Sequence, residues 1–257
     1  MTRTPDHSTL ATRALPRRAF ASTFAVVAVV GALAFVGLPL PTRAAADAPV
    51  KIPPLAGEAK GDAKAATETA VFAGGCFWGV QGVFQHTQGV LNAVSGYTGG
   101  SQASARYELI GSGLTGHAEA VQVSFDPKQV SYAQLLQIYF SVVHDPTQLN
   151  RQGPDRGTQY RSALFTTEPT QKQTAERYIA QLDAAKVYPA RIVTQVVPLT
   201  AFYAAEDYHQ DYATLHPESG YIATFDLPKI AALKTMFAAQ YRGEPALVSS
   251  GSVAKRN

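Results

Sequence analysis

The chain has 257 residues, of which 46% are apolar and 16% charged, so it can build a sizeable core and lacks the composition of a disordered segment. Its formal charge is +3 at pH 7, yet residues 1–46 hold five arginines and one aspartate, which leaves 17 basic and 18 acidic side chains in the remainder. No basic stripe with interleaved aromatics follows, so no nucleic-acid partner is expected.

Arg17 and Arg18 precede an apolar run over residues 19–40, and Ala44-Ala45-Ala46 comes next. That is the layout of an export signal, with cleavage expected between Ala46 and Asp47. The order Arg17-Arg18-Ala19-Phe20 fits the twin-arginine route into the periplasm, and a Sec signal can carry the same pair. A run of roughly 20 apolar residues also spans a bilayer, so an uncleaved N-terminal anchor in the inner membrane is the competing reading. Residues 47–66, rich in Ala, Pro, Gly and Lys, read as a flexible linker. A folded domain over 67–243 and a flexible tail over 244–257 complete the expected organisation.

Within the domain, residues 69–73 form an apolar run that stops at Gly74-Gly75 and predicts a strand. From Cys76 onward, Phe77, Val80 and Phe84 fall at helical spacing. Residues 91–97 predict a second strand, and a Gly- and Ser-rich loop follows to Gly116. In 119–125, Glu119, Val121, Val123 and Phe125 alternate with Ala120, Gln122 and Ser124, as a half-buried strand requires. Ser131 is placed to cap a helix that presents Leu135, Ile138 and Val142, and Thr167 to cap another over 170–186. Strands are expected at 161–166 and 192–197, a short helix at 206–214 and a last helix at 228–240. The order strand–helix–strand, strand–helix–strand predicts an α+β fold: a ferredoxin-like split β-α-β plait, its mixed sheet covered by helices, with a loop-rich C-terminal part.

Cys76 is the one cysteine of the chain. It is therefore either a buried bystander or a reactive thiol, since no internal disulfide is open to it. It follows two glycines at a helix start, where backbone N–H groups and the positive dipole end favour an anion, so the thiol pKa is expected to be lowered. Phe77 and Trp78 read as core aromatics or as an apolar slot that suits a thioether. The parity of Glu119 puts a carboxylate on an apolar face. Desolvation there would keep it partly protonated, as a general acid, unless it lies at the solvated mouth of the strand. Tyr97, Tyr107, Tyr160 and Tyr221 stand near glycines, and a cluster of such phenols would hold a polar oxygen without charge. Two other readings remain at this point: a cysteine hydrolase with His144 or His209 as base, and a metal site at His209 and His216, for which the spacing is not distinctive.

The run Gly74-Gly75-Cys76-Phe77-Trp78-Gly79 resembles the active-site signature of the peptide-methionine (S)-S-oxide reductases, the A-type methionine sulfoxide reductases. Further blocks resemble the family in its own order: Gly96-Tyr97-Thr98-Gly99-Gly100, Gly116-His117-Ala118-Glu119, His144-Asp145-Pro146-Thr147, the run from Asn150 to Ser162, and Ala205-Glu206-Asp207-Tyr208-His209-Gln210. The likeness covers about residues 68–243.

The resemblance implies that Cys76 is the nucleophile, that Phe77 and Trp78 hold the substrate methyl group and that Glu119 is the acid at the sulfoxide oxygen. It implies that Tyr107 and Tyr160 hold that oxygen and that Asp155 organises the polar side of the pocket; Tyr221 is added as a substrate-binding phenol. The implied reaction reduces the S-epimer of methionine sulfoxide, free or in proteins, leaves Cys76 as a sulfenic acid and needs neither cofactor nor metal. Many relatives carry a resolving cysteine near the C-terminus, where this chain has Gly220-Tyr221-Ile222. An external thiol donor, either thioredoxin-like or a glutaredoxin with glutathione, and a monomeric enzyme are therefore expected.

Overall fold

The computed structural model describes residues 48–57 and 66–248. The expected export or anchor segment, 1–46, lies outside them. The chain runs β1 (Glu68–Ala73), α1 (Phe77–Gln85), β2 (Val90–Thr98), α2 (Tyr107–Ile110), β3 (Ala118–Phe125), α3 (Tyr132–Ile138), β4 (Arg151–Gln152) and β5 (Asp155–Arg156). It continues through β6 (Ala163–Thr166), α4 (Pro169–Ala184), β7 (Gln195–Pro198), β8 (Phe202–Ala204), α5 (Tyr212–Leu215) and α6 (Leu227–Met236).

Six of the strands make one mixed sheet in the order β7-β6-β1-β3-β2-β8. Every pair is antiparallel except β6 with β7, which run parallel across the α4 crossover. Alternation along each strand divides the apolar residues between two faces. Ala70 and Phe72 of β1 join Val121, Val123 and Phe125 of β3 in the main core, together with residues of α1, α3 and α4. Val71, Ala73, Ala118 and Ala120 point the other way into a smaller cluster with Phe165.

Helix α1 is buried almost all round; of its nine residues only Trp78 is not fully buried. The sheet lies on one side and the C-terminal α5 and α6 on the other. Ser131 caps α3 as expected and closes a capping box, its hydroxyl accepting from the Gln134 N–H while the Gln134 side chain accepts from the Ser131 N–H. The helix then widens into a π-helical turn, Tyr139–Val143.

Several expectations are corrected. Thr167 does not cap α4: its hydroxyl donates to the Thr69 carbonyl, and Glu168 takes the N-cap position ahead of Pro169. No continuous helix spans 206–214, because Asp211 at φ 58 interrupts it between a 3-10 turn and α5. That backbone is fixed from three sides: the Asp211 N–H donates to Gln81 Oε1, while Gln85 Nε2 and the Val248 N–H both donate to Asp211 Oδ1. The edge strand β8 and the β4–β5 hairpin had no clear sequence signal, being two or three residues long.

The linker and tail are corrected in part. Residues 50–57 are not a free tether but a strap, with Ile52 and Leu55 buried in the core. The Val50 N–H donates to the Ser141 carbonyl, Tyr178 Oη to that of Pro53 and Arg177 to that of Ala56. Two apolar residues three apart gave no periodicity to detect, and their partners come from helices far along the chain. In the tail, the Ala246 N–H donates to the Gln85 carbonyl, so 244–248 also dock on the domain.

Leu55→Ala is expected to lower unfolding stability by about 2 kcal/mol, at the low end for a buried leucine because the strap can settle into the space. Denaturant titration measures this, and an unchanged midpoint would mean that the strap is not part of the cooperative core.

Candidate active site

Register places the acid. Phe72 pairs with Val121 across β1 and β3, so Glu119, two residues earlier on β3, lies where β1 has just ended and the chain turns through Gly74-Gly75 into α1. Its side chain points to the helix-covered face, and only 3% of the residue is exposed. The first N–H of α1, that of Phe77, donates to Glu119 Oε2 at 3.1 Å. One of the unpaired donors of the helix start is thereby satisfied by a buried carboxyl.

Cys76 is the N-cap of α1 and is 8% exposed. Gly75 makes the approach possible: it sits at φ +91, and a Cβ there would come within 2.7 Å of the Gln152 side chain. An aromatic wall stands beside the sulfur. Phe77 and Trp78 rings lie 6.4 Å apart, and Tyr221 meets Trp78 edge-on at 6.0 Å. Tyr221 Oη donates a short hydrogen bond to Asp155 Oδ2. Tyr107, 40% exposed, packs at 4.4 Å on His209. The phenols of Tyr107 and Tyr160 both lie within the electrostatic reach of Glu119, Asp155 and Cys76. Glu119, Tyr107, Tyr160 and Tyr221 thus act electrostatically on Cys76, Phe77 and Trp78 follow it in the chain, and Asp155 is held by Tyr221.

The electrostatics depart from expectation at the cysteine. Burial pushes the Cys76 thiol well above its ordinary pKa, the charges of Glu119 and Asp226 push it further, and the hydrogen bond from the Trp78 backbone N–H only partly offsets them. The resting sulfur is a neutral thiol, because desolvation outweighs what the helix start supplies. The same cause acts on Glu119: burial pushes its carboxyl up to about 8, against the lowering effect of the Phe77 N–H, and Asp155 and Asp226 add to the rise. At neutral pH this carboxyl keeps its proton.

The histidines are engaged elsewhere. His144 is buried, its Nε2 2.6 Å from Ser162 Oγ and its Nδ1 3.3 Å from the Tyr139 carbonyl, and burial pushes its pKa down to about 3. His209 Nδ1 accepts from the Trp78 indole N–H at 3.2 Å, and burial lowers its pKa as well. A neutral His209 thus orients Trp78 rather than activating the thiol, and the hydrolase reading finds no base.

Sequence reasoning missed this supporting layer. Glu206 accepts from Tyr97 Oη at 2.9 Å and from the Tyr107 N–H at 3.0 Å. Tyr212 stacks on Trp78 at 4.0 Å. Glu206 and His209 lie in the block 205–210, which the pairing of β8 with β2 and the hydrogen bond from Gln81 of α1 to Gln210 bring against α1.

A thiol beside a protonated carboxyl, next to an aromatic wall edged with phenols, suits chemistry at a soft atom, and likeness to known proteins places the chain among the thiol-dependent oxidoreductases. A family model described as peptide methionine sulfoxide reductase matches residues 68–241. A peptide methionine sulfoxide reductase MsrA 2 from Mesorhizobium japonicum is 61% identical over 193 residues, covering 74% of this chain and 99% of its own length. Among solved structures, reduced Mxr1 from Saccharomyces cerevisiae superposes with a TM-score of 0.56 at 32% identity, over 61% of this chain and 89% of that one. Methionine sulfoxide reductase A of Corynebacterium diphtheriae gives 0.52 at 36% identity, over 66% and 89%. The chain belongs to the peptide methionine sulfoxide reductase A family.

The raised carboxyl has a consequence for stability. Glu119 is protonated in the fold up to about pH 8, while its unfolded counterpart ionises near 4.5. Its contribution is full below pH 4.5 and is lost as pH rises through 8, a loss on the order of a few kcal/mol. Glu119→Gln should therefore flatten the decline in unfolding midpoint between pH 6 and 9; a variant that declines as steeply as the wild type would refute the buried, protonated state.

Proposed function

We propose that the enzyme reduces the S-epimer of methionine sulfoxide, free or within proteins, to methionine at Cys76, and so repairs oxidative damage. The carrying observation is a buried cysteine, 8% exposed, in the electrostatic reach of a buried carboxyl that holds its proton at neutral pH. In this reading Phe77 and Trp78 receive the methyl group, and Tyr107, Tyr160 and Tyr221 direct hydroxyls at the S=O oxygen, with Asp155 fixing Tyr221.

The sulfur of Cys76 attacks the sulfoxide sulfur while Glu119 delivers its proton to the oxygen, and the thiol proton replaces it on Glu119. The substrate S–O bond then breaks, the released hydroxide forms a bond to the Cys76 sulfur, and the S–S bond made in the attack breaks with its electron pair going to the methionine sulfur, so methionine leaves and Cys76 is left as a sulfenic acid. Thiol plus sulfoxide gives sulfenic acid plus thioether, with two electrons passing from the enzyme to the substrate. A neutral resting thiol suits this order, because the sulfur loses its proton only when a substrate is there to take one.

With one cysteine in 257 residues, the sulfenic acid is reduced by external thiols: two of them yield their disulfide, water and the free enzyme. A thioredoxin-like protein, a glutaredoxin with glutathione or another exported dithiol fits this requirement. The sheet order β6-β1-β3-β2 with alternating directions supports the ferredoxin-like plait. The sequence of residues 1–46 supports export to the periplasm, with an inner-membrane anchor as the alternative; N-terminal sequencing of fractionated cells distinguishes them.

Purified protein with dithiothreitol should reduce the S-sulfoxide of a blocked methionine and spare the R-epimer, and Cys76→Ser should abolish turnover. Equal use of both epimers, or a competent Cys76→Ser, would sink this reading. Glu119→Gln should cut kcat at least tenfold with substrate binding largely kept, and should remove the wild-type fall in rate as pH rises through about 8. Without reductant, one equivalent of sulfoxide should add a single oxygen to the peptide bearing Cys76, as mass spectrometry would record, with no intramolecular disulfide.

A further inference from the structure

The C-terminal segment brings two charged side chains to the same end of α1 as Cys76, and neither takes part in the proton transfers described for Cys76 and Glu119. Asp226 closes the π-helical turn Ile222–Asp226 and is fully buried. Its Oδ1 occupies the space that a side chain at position 79 would fill: a Cβ on Gly79 would lie 2.1 Å from that oxygen. Lys229, in the first turn of α6, is 15% exposed, and its Nζ stands 3.1 Å from the same Oδ1. That Nζ lies 3.0 Å from the same Cβ position. The pair is therefore clamped onto the first turn of α1, three residues past the sulfur at its N-cap.

Two features speak against a purely structural pair. Asp226 Oδ2 is buried without a hydrogen-bond partner. A buried ion pair contributes little net stability even when every oxygen is satisfied, and a half-satisfied one contributes less. Moreover, an ammonium at the N-terminal end of a helix opposes the helix dipole, so it is favourable there only beside an anion. The anion beside it is Asp226, whose carboxyl pKa burial raises and the Lys229 ammonium lowers, with Asp155 in reach of that carboxyl; once ionised, the sulfur of Cys76 is a further one.

We propose that Asp226 and Lys229 form a positioning pair for the reaction at Cys76: Lys229 supplies the positive field that the sulfur needs as it becomes anionic, while Asp226 tethers the ammonium and disfavours the anion at rest. This rests on the reading of Cys76 as the nucleophile. The groups that face the sulfur are Glu119 from β3, Tyr107 from α2, Tyr160 from the turn before β6, Tyr221 from the C-terminal segment with Asp155 bound to it, and the pair itself. Glu119 and the phenols are neutral at pH 7, so Lys229 is the cation of this set among the described residues. The two members act on the thiol in opposite directions, Asp226 against ionisation and Lys229 in favour of it.

The test uses the lone cysteine, because iodoacetamide then reports on Cys76 alone. Alkylation rate against pH should give a midpoint that moves up in Lys229→Met, and reaction at pH 7 should slow about tenfold for every pH unit by which that midpoint rises. In Asp226→Asn the midpoint should move down, and Lys229→Arg should restore the wild-type profile. The ratio kcat/KM for the S-sulfoxide should shift its pH profile in the same two directions. Midpoints that stay put, or that move together in the two charge-removing variants, overturn the proposal. Should Lys229→Met fail to fold by circular dichroism, Asp226→Asn decides alone, and a midpoint at or above the wild-type value overturns it. Failure of the underlying nucleophile assignment has a separate mark, continued turnover by Cys76→Ser.

Discussion

The site depends on one carboxyl kept out of water. Glu119 is carried by β3 to the point where β1 gives way to α1, and the first free N–H of that helix meets it. Solvation would let this carboxyl ionise near 4.5; burial moves it to about 8, so it holds its proton at neutral pH. The same dry surroundings that hold the proton on Glu119 hold one on Cys76. Cys76 and Glu119 are thus both neutral at pH 7.

Much of the rest of the fold keeps that environment dry. Helix α1 is covered by the sheet beneath and by the C-terminal segment above, and this segment brings in Tyr221, Tyr212, Asp226 and Lys229. The edge strand β8 then steers Glu206 and His209 toward Trp78 and Tyr107. A neutral His209 accepting from the indole N–H sets the angle of the pocket wall, so the loop-rich C-terminal third works as the outer half of the site.

The strap of residues 50–57 and the docked start of the tail show how far tertiary packing extends past an apparently featureless sequence. Neither segment forms a helix or strand of its own. Each satisfies backbone groups with partners far along the chain, such as the Pro53 carbonyl with Tyr178 and the Ala246 N–H with Gln85.

The amino-acid sequence alone determined the elements whose periodicity is local. Strands β1, β2 and β3, helix α1 and the Ser131 cap follow from alternation, helical spacing and a capping box, all of which act within a few residues. It also placed Cys76 at the helix start, through the Gly-Gly-Cys order, and Glu119 on the apolar face of its strand, through its parity, while leaving the state of both open. Only the tertiary structure decided the charge state of the sulfur, since the helix-start argument counts nearby N–H groups while desolvation depends on what covers the helix. It alone brought His209 to Trp78, Glu206 to Tyr97 and Tyr107, and Asp226 with Lys229 to Gly79. Those contacts join segments remote from one another in the chain, at separations where spacing along the sequence carries no information about distance.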